Sequence, residues 1–570
     1  MTYSTSAHDC AANGTRPTLP LVFAVLLVAV CLAIIGVGIF VPLYGDETAT
    51  KLMRGMFIAN GWKFNTLLPQ CRPEFLREVP RLLLPGALAY DFAYSHASPL
   101  GIRIGGMVVD VGIMGFLGIA VKSWADSKQS RLPWIAAVIC VAGLGVLPLT
   151  LVMARGEQML LLLLLIFICA PHLISRYVPR LNVGWILACA IAFCVLQSIF
   201  FYTHPKSLFF FPVLFLSAWL AFWPINRVAC ACVLVITLLT LRAALHFAFA
   251  LTDCPGAPIF ATFMQSQTTP PSLIWSHPLE FVAQVWNNVR NAPDAMLVHM
   301  KFADVYQSGW LTASQGVAAS RLTRWVNGGI ESIVYAVYLC AAILPPATLV
   351  CSLVRRQRAN IAAWILMALW VSIAAHVAMY RVWNFYSAGL VLPLMMISAT
   401  LSAIELSSMG VLKASTRTLF IWLSPLYLLF FASAAVLLFK VMPSTIHASR
   451  SPGIDMQGQL FSVPVFNYGS RRAEIRSFAS QCGVKGDAAK RLVIDNLTLF
   501  AFDGLREPLQ SDYVTEKAFG VDYRGEAQLA LLRRARAKAI IARCTLLSDT
   551  VRAAAVEKDG LCCLDLNRPQ

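Results

Sequence analysis

Long apolar runs, separated by short polar joints, dominate the chain. They fall near residues 20–43, 101–121, 132–153, 157–174, 183–202, 207–225, 228–250, 329–353, 360–379, 388–406 and 418–440. A helix needs about 20 mostly apolar residues to cross a bilayer, so the pattern predicts a polytopic α-helical membrane protein with about eleven transmembrane helices. The first run is expected to persist as a span, because it is long and no small-x-small cleavage site with a polar mature start follows it. The short joints set the direction. Arg16, Lys122, Lys128, Arg131, Arg176, Arg180, Arg227, Arg355, Arg356, Arg358, Lys413 and Arg417 fall on one side, against only Arg155, Lys206 and Arg381 in the short joints of the other. Basic residues gather in cytoplasmic loops. The N-terminus is therefore expected inside and the C-terminus outside, as an odd number of spans requires.

On this topology the outer face carries two long loops, about 44–100 and 251–328, and a tail. The chain divides into a membrane domain, 1–440, and an extracytoplasmic domain, 441–570. In the first loop Met53, Met56 and Phe57 recur at helical spacing among Lys51 and Arg54, and 74–85 mixes Glu74, Arg77, Glu78 and Arg81 with leucines. Both stretches read as interfacial helices. The tail alternates: helix-like 472–481, strand-like Leu492–Phe502, helix-like 526–538, strand-like Ala539–Arg543, a further helix, then strand-like Leu561–Leu566. That order predicts a small α/β domain.

Composition sharpens the picture. Hydrophobic residues make up 58% of the 570, charged residues 13%, and mean hydropathy is +0.67. A soluble domain is about half apolar and about a quarter charged, so both disorder and an ordinary soluble core are excluded. The formal charge of +17 (46 basic less 29 acidic) would suggest nucleic acid in a soluble chain. Here the tail supplies only +4 (18 basic less 14 acidic), and the remaining +13 lies among the apolar segments as an orientation signal. No nucleic-acid partner is expected. Of sixteen cysteines, six lie outside: Cys71, Cys254, Cys482, Cys544, Cys562 and Cys563. An even number in an oxidising compartment allows disulfides, with the pairing open. Cys71 with Cys254 would tie the two loops, and Cys482 with Cys544 would staple the tail. No CxxC or His-rich spacing indicates a structural zinc.

The sharpest local feature is Tyr44-Gly45-Asp46-Glu47, at the outer end of the first span. By itself it is also what ends a helix at a membrane boundary. The outer span ends, however, repeatedly carry cations in tight corners. These are Arg103, Arg155 in Ala154-Arg155-Gly156-Glu157, His204 and Lys206 in Thr203-His204-Pro205-Lys206, and Arg381 in Tyr380-Arg381-Val382-Trp383. The topology sets them at one depth with Asp46 and Glu47. A carboxylate facing a ring of cations is what a base beside a bound phosphate requires. Tyr44, Phe201, Tyr202, Trp383, Phe385 and Tyr386 around them form either an interfacial belt or a surface for stacking on sugar rings.

At these residues the chain resembles the GT-C superfamily of polytopic glycosyltransferases, which includes protein O-mannosyltransferases, aminoarabinose transferases and arabinosyltransferases. The run Tyr44-Gly45-Asp46-Glu47-Thr48 looks like their first outer loop, and the Ala154–Glu157 and Thr203–Lys206 corners resemble their polar corners. The resemblance implies an enzyme, a hexosyl- or pentosyltransferase of the plasma membrane (a bacterial inner membrane), building a cell-envelope glycan. It would pass a sugar from a polyprenyl-phosphate donor to a lipid, glycan or protein acceptor at the outer face. Asp46 would be the general base in an inverting displacement, with Glu47 orienting the acceptor. Arg103, Arg155, His204, Lys206 and Arg381 would hold the donor phosphate, and Tyr44, Tyr202, Trp383 and Tyr386 would contact sugar or acceptor. A divalent metal is compatible with such chemistry, but no second convergent carboxylate set indicates one.

Two other classes fit parts of the pattern. A lipid or solute transporter predicts internal repeats, broken helices and ionisable residues near the midplane. No repeat is visible, although Asp110, Arg242 and His246 lie inside apolar runs, where an internal ion pair or hydrogen bond is the ordinary explanation. A polysaccharide polymerase or ligase would rely on arginines in a large outer loop, and Arg290, Arg321 and Arg324 occupy 251–328. His376, near the outer end of its span, is expected to join Arg381. Glu331 reads as a membrane-edge residue.

Overall fold

The computed structural model describes residues 19–45, 47–48, 58, 63–65, 76–94, 97–125, 131–177, 183–249, 266–306, 310–311, 316–355, 361–412, 415–450, 463–484, 492–495, 497–502, 506–508, 529–530, 533 and 537–566. Arg16, Asp46, the Lys51–Phe57 segment, Cys71, Glu74, Cys254 and most of 526–538 lie outside them. Among the described residues, ten helices are long and apolar enough to cross a membrane.

The first is α1 (Leu19–Val37). Beyond it, β1 (Lys63–Asn65) pairs antiparallel with β2 (Leu76–Glu78), and α2 (Leu84–Tyr94) follows. The stretch 74–85 is thus not the interfacial helix expected. Pro80 has no N–H and biases its predecessor to extended backbone, so helical backbone begins only after it, as a 3-10 turn at Arg81–Leu83 that leads into α2. Next comes α3 (Pro99–Trp124), capped by the Ser98 hydroxyl, which accepts from Gly101 N–H.

The third expected span, 132–153, is broken in two: α4 (Arg131–Ala142) and a short α5 (Leu147–Leu151). Gly145 takes a left-handed φ of 59°, and a Cβ there would lie 2.0 Å from the Met300 carbonyl oxygen. The break frees main-chain donors, and both find partners: Gly145 N–H donates to the Ser433 hydroxyl (2.8 Å) and Val146 N–H to Met300 O (3.0 Å). The segment still runs the length of α3. Arg131 Nε donates to Ala125 O beyond one end of α3, and Val152 O accepts from Arg103 near the other.

The remaining helices are α6 (Gly156–Tyr177), α7 (Val183–Thr203), α8 (Phe211–Phe222, preceded by a 3-10 turn at Pro205–Phe210) and α9 (Arg227–Phe249). Within 251–328 lie α10 (Leu273–Ser276) and α11 (Pro278–Val298). Then follow α12 (Arg321–Val354), α13 (Ile361–Met379), α14 (Phe385–Ser408), α15 (Thr416–Val436) and α16 (Met442–Arg450). Helix α14 is apolar or small almost all round and buried on every side, as the central helix of a bundle must be. Arg242 and His246 are exposed on α9 rather than internally paired. Asp110 is fully buried, and neither of its oxygens has a hydrogen-bond partner among the described residues.

The tail forms α17 (Tyr468–Gln481) and a five-stranded sheet with order β4-β3-β5-β7-β6. The strands are β3 (Leu492–Ile494), β4 (Arg506–Pro508), β5 (Ala539–Arg543), β6 (Val556–Lys558) and β7 (Leu561–Asp565), with α18 (Asp549–Ala553) between β5 and β6. The first three in sheet order are parallel, and β7 and β6 add antiparallel. The strand expected over Leu492–Phe502 stops at Ile494, because the Asp495 carboxylate turns the chain by accepting from the Thr498 N–H and hydroxyl (both 2.9 Å). Burial alone would raise the Asp495 carboxyl. The Arg543 guanidinium, with Nε 2.7 Å away, and the Thr498 bonds outweigh it and hold the group below its usual range.

Among the described residues two disulfides join Cys482 to Cys563 and Cys544 to Cys562, not Cys482 to Cys544. Successive side chains of a strand point to opposite faces. The neighbouring thiols of Cys562 and Cys563 on β7 therefore reach different layers, one toward the α17 core and the other toward Cys544. The tail docks on the outer helix ends. Leu43 and Val463 exchange main-chain hydrogen bonds (2.9 and 2.8 Å), and Leu43, Ile102 and Ala154 share one apolar cluster with Tyr468, Phe478 and Phe500.

Candidate active site at the outer helix ends

Two buried carboxylates organise this layer. The first is Glu47. It is 1% exposed, and both oxygens are occupied: Oε1 accepts from Arg103 Nη1 (3.1 Å) and Ala154 N–H (2.7 Å), Oε2 from Arg103 Nη2 (3.0 Å) and Tyr44 N–H (2.9 Å). Arg103, one turn into α3, is equally enclosed. Its other three donors go to the Val41, Pro42 and Val152 carbonyls at 2.8–2.9 Å. A guanidinium has five N–H donors, and all five are used. Arg103 thus fastens the end of the first span and the 152–154 corner to α3, with no donor left for a phosphate.

The second is Glu157, in the first turn of α6, where the helix dipole favours an anion. Gly156 lets this turn approach the next corner: a Cβ there would lie 3.0 Å from Thr203 O and 3.2 Å from His204 Cβ. Lys206 Nζ bonds Glu157 Oε1 at 2.9 Å, His204 Nε2 lies 3.2 Å from the same oxygen, and Arg155 Nε is 3.6 Å from Oε2. His204 Nδ1 accepts from the Lys206 main-chain N–H (3.1 Å), which assigns its single proton to Nε2 and makes the imidazole neutral. The cluster then carries two fixed cations against one carboxylate. Glu157 and Lys206 form its floor, 0% and 2% exposed, while Arg155 and His204 form a rim that solvent reaches.

Helix α14 supplies the facing wall. Asn384 caps it by accepting from Ser387 N–H, and the Ser387 hydroxyl accepts from Lys206 Nζ at 2.6 Å. The Arg155 guanidinium carbon lies 4.3 Å over the Tyr386 ring, and Lys206 Nζ lies 4.8 Å over Tyr380. Consecutive residues join the two carboxylates: Ala154 donates to Glu47, and Arg155 faces Glu157. Ring contacts make a second link, from Tyr44 to Phe385 (5.3 Å) and from Phe385 to Tyr386 (4.8 Å).

The sequence-based candidates separate accordingly. Arg155, His204, Lys206 and Tyr386 converge, with Tyr44 beside them. Tyr202 is buried in a wall between Tyr90 and Phe247. Trp383 lends its carbonyl to His299 Nε2 (3.2 Å), and burial holds the His299 imidazole below its usual range. The Arg381 side chain is exposed, while its main-chain N–H donates to Gln267 O. His376 does not join Arg381. It is fully buried, stacked 4.8 Å from Tyr380, and neither ring nitrogen has a hydrogen-bond partner among the described residues. Glu331 pairs with Lys301 (2.7 Å), an ordinary edge contact. Glu157, Tyr380 and Ser387 are the members that sequence reasoning did not single out. Glu157 alone had a visible signal, an acid one residue past an outer corner.

For a metal, one described group of His, Cys, Asp and Glu has suitable spacing: Cys544, Glu557 and Cys562. Its two sulfurs are joined in a disulfide, so they are not thiolates and the group does not suit a cation.

No known protein family and no curated protein matches the sequence. Among solved structures the chain is similar to the oligosaccharyltransferase of Archaeoglobus fulgidus in its apo form, at 9% identity and TM-score 0.43, over 92% of this chain and 70% of that one. It is also similar to ArnT from Cupriavidus metallidurans bound to undecaprenyl phosphate, at 14% identity and TM-score 0.39, over 96% and 99%. The archaeal enzyme AglB in complex with an inhibitory peptide and a dolichol-phosphate gives 10% identity and TM-score 0.40, over 91% and 70%. These neighbours are GT-C superfamily glycosyltransferases. At TM-scores below 0.5 they stand as likenesses, and a functional reading has to rest on the side chains.

Proposed function

We propose that the protein is a membrane glycosyltransferase that takes a sugar from a polyprenyl-phosphate donor and transfers it to an acceptor at the outer face. The observation that carries this reading is the junction at residues 154–155, where the acidic corner after the first span meets a cluster with excess positive charge. An anion site at the end of the membrane helices suits a lipid phosphate, whose chain stays in hydrocarbon while its head meets the rim. Arg155 receives the phosphate at the rim, beside His204, whose one N–H faces Glu157. Lys206, held by Glu157 and Ser387, stabilises the charge that grows on the leaving phosphate as the glycosidic bond breaks. Tyr380 and Tyr386 hold the cations from their ring faces.

Asp46 is the general base in this proposal. It takes the proton of the acceptor hydroxyl as that oxygen attacks the anomeric carbon from the side opposite the phosphate, inverting it. Supporting this, the flanking Tyr44 and Glu47 are anchored to Phe385, Arg103 and Ala154, so the acid's neighbours are held near Arg155. Glu47 and Arg103 act as the fastening of that corner and not as acceptor and phosphate ligands. The proposal includes eleven crossings, the eleventh being the broken α4–α5 segment. The N-terminus is cytoplasmic, and residues 441–570 form an outer domain. The two disulfides support that side, since such bonds persist in oxidising compartments.

Asp46→Asn tests the reaction. It should abolish sugar transfer in reconstituted membranes while insertion stays normal, and full activity would remove Asp46 as the base. Glycan and lipid profiling of cells lacking the protein should reveal an accumulating polyprenyl-phosphate sugar; unchanged lipid-linked sugars with a blocked solute flux would favour a transporter. A reporter fused after Gln570 should be active only outside the cytoplasm.

A further inference from the structure

Helices α10 and α11 carry an apolar row that no described residue covers. Trp275 stands on α10, and past the non-helical His277 Leu279, Val282 and Trp286 recur on α11 at intervals of three and four residues, which is one helical face. They are 89%, 85%, 62% and 67% exposed. A soluble surface avoids such a row.

The surroundings of the row identify its occupant. On one flank α11 is packed, with Ala292 and Met296 buried and Val285 and Val289 half-buried. On the other flank stand Glu280, Asn287, Arg290, Asn291 and Asp294, all exposed. The apolar row lies between them, so the helix presents protein, hydrocarbon and water contacts in turn around its axis. The helix also keeps to one level. Asn288 Nδ2 donates to Ala378 O (2.7 Å) at the outer end of α13, Tyr338 on α12 donates to Val289 O (2.7 Å), and His299, just past the helix, meets Trp383 before α14. Helix α12 is 34 residues long, about 51 Å at 1.5 Å per residue, whereas the hydrocarbon layer is about 30 Å. Arg321, Arg324 and Asn327 put the excess length in its first turns, and Tyr335, which donates to Asp294, heads a row with Leu339 and Ile343 on its exposed apolar face. The α11 residues that meet α12 are Val289 and Asp294, beyond Trp286 along the helix.

We propose that α10 and α11 form a membrane-surface helix that sinks Trp275, Leu279, Val282 and Trp286 into the outer leaflet of the bilayer. Two indoles suit the headgroup boundary. The exposed polar face carries one cation, Arg290, against Glu280 and Asp294, so the attachment is by apolar area and needs no anionic lipid. The insertion bears on the candidate site through the main chain. Thr269 N–H donates to Met379 O (2.7 Å) and Arg381 N–H to Gln267 O (2.9 Å), so the segment leading into α10 forms a ladder with the Tyr380 corner that faces Lys206. The inference requires a membrane-spanning chain and is independent of which reaction it catalyses.

The test is lipid photocrosslinking. The full chain, with p-benzoylphenylalanine in place of Leu279 or, separately, of Asn287, is reconstituted in phosphatidylcholine vesicles with radiolabelled acyl chains. On illumination, position 279 should take up label at least about tenfold more than position 287, and a phosphatidylglycerol admixture should not change the ratio. Equal labelling, no labelling at 279, or a crosslink from 279 to a second copy of the chain would overturn the proposal. Because the readout is covalent lipid capture, it stands whether or not sugar transfer is observed.

Discussion

Glu47 and Glu157 are two fully buried carboxylates in one layer, one residue apart through Ala154 and Arg155, yet they are built for different ends. Glu47 meets a single guanidinium in a fork, and every hydrogen-bonding atom of the pair is used. Glu157 meets several positive or proton-donating groups whose rim opens to solvent. A closed pair can only hold structure. A carboxylate outnumbered by cations holds them in place for another anion. The number of donors and acceptors, rather than burial, separates a fastening from a site.

The largest expected effect breaks the closed pair. Arg103→Met leaves Glu47 charged and unpaired, which costs about 3–5 kcal/mol, and replacing Glu47 with Leu in the same chain should recover much of that loss. Thermal unfolding of the purified protein in detergent reads both, and a fully additive loss would mean the two side chains do not act as a pair. Next, Cys563→Ser opens the bridge closing an 81-residue separation and should destabilise the outer domain by about 2–5 kcal/mol. Limited proteolysis should then cleave the tail first and spare the helices.

The open cluster predicts the reverse balance of folding and function. Lys206→Met removes one of two cations and leaves Glu157 facing Arg155 and the His204 N–H, so unfolding temperature should fall less than in Arg103→Met. Donor binding should weaken by roughly 10- to 100-fold, the value of a hydrogen bond to a charged group of about 1.5–3 kcal/mol. A binding titration with polyprenyl phosphate measures this, and unchanged affinity would move the phosphate elsewhere. The smallest effect concerns acidity. Asp495 has a folded pKa depressed below its unfolded value of 3.8, so the unfolded chain binds the proton more readily. Its contribution is present above pH 3.8 and is lost as pH falls through the lower folded value. Asp495→Asn should flatten that acid limb of tail unfolding and leave neutral-pH behaviour of the helices unaltered.

Much of this was legible in the chain. The spans other than 132–153 are close to where apolar runs put them, and the tail strands at Ala539–Arg543 and Leu561–Asp565 follow their pattern. The break in the third run had a signal in Gly143, Gly145 and Pro148, which a window long enough to find a span averages away. Arg103 and Lys206 looked alike as outer-end cations. Nothing in composition distinguishes one surrounded by three carbonyls from one facing a hydroxyl and two rings. The disulfide pairing was equally hidden, because it depends on which face of β7 each thiol occupies.

What the sequence determined by itself is what depends on neighbours along the chain: where apolar residues are numerous enough for lipid, and which joints are basic. Transfer to hydrocarbon and interaction with surface charge act on short segments, so local counting is sufficient for them. The candidate site is of another kind. It draws on residues from 154 to 387, brought together only when α6, α7 and α14 pack at their outer ends. Whether a charge there is spent on structure or available to a ligand is fixed by its partners in space, and only the tertiary structure supplies those.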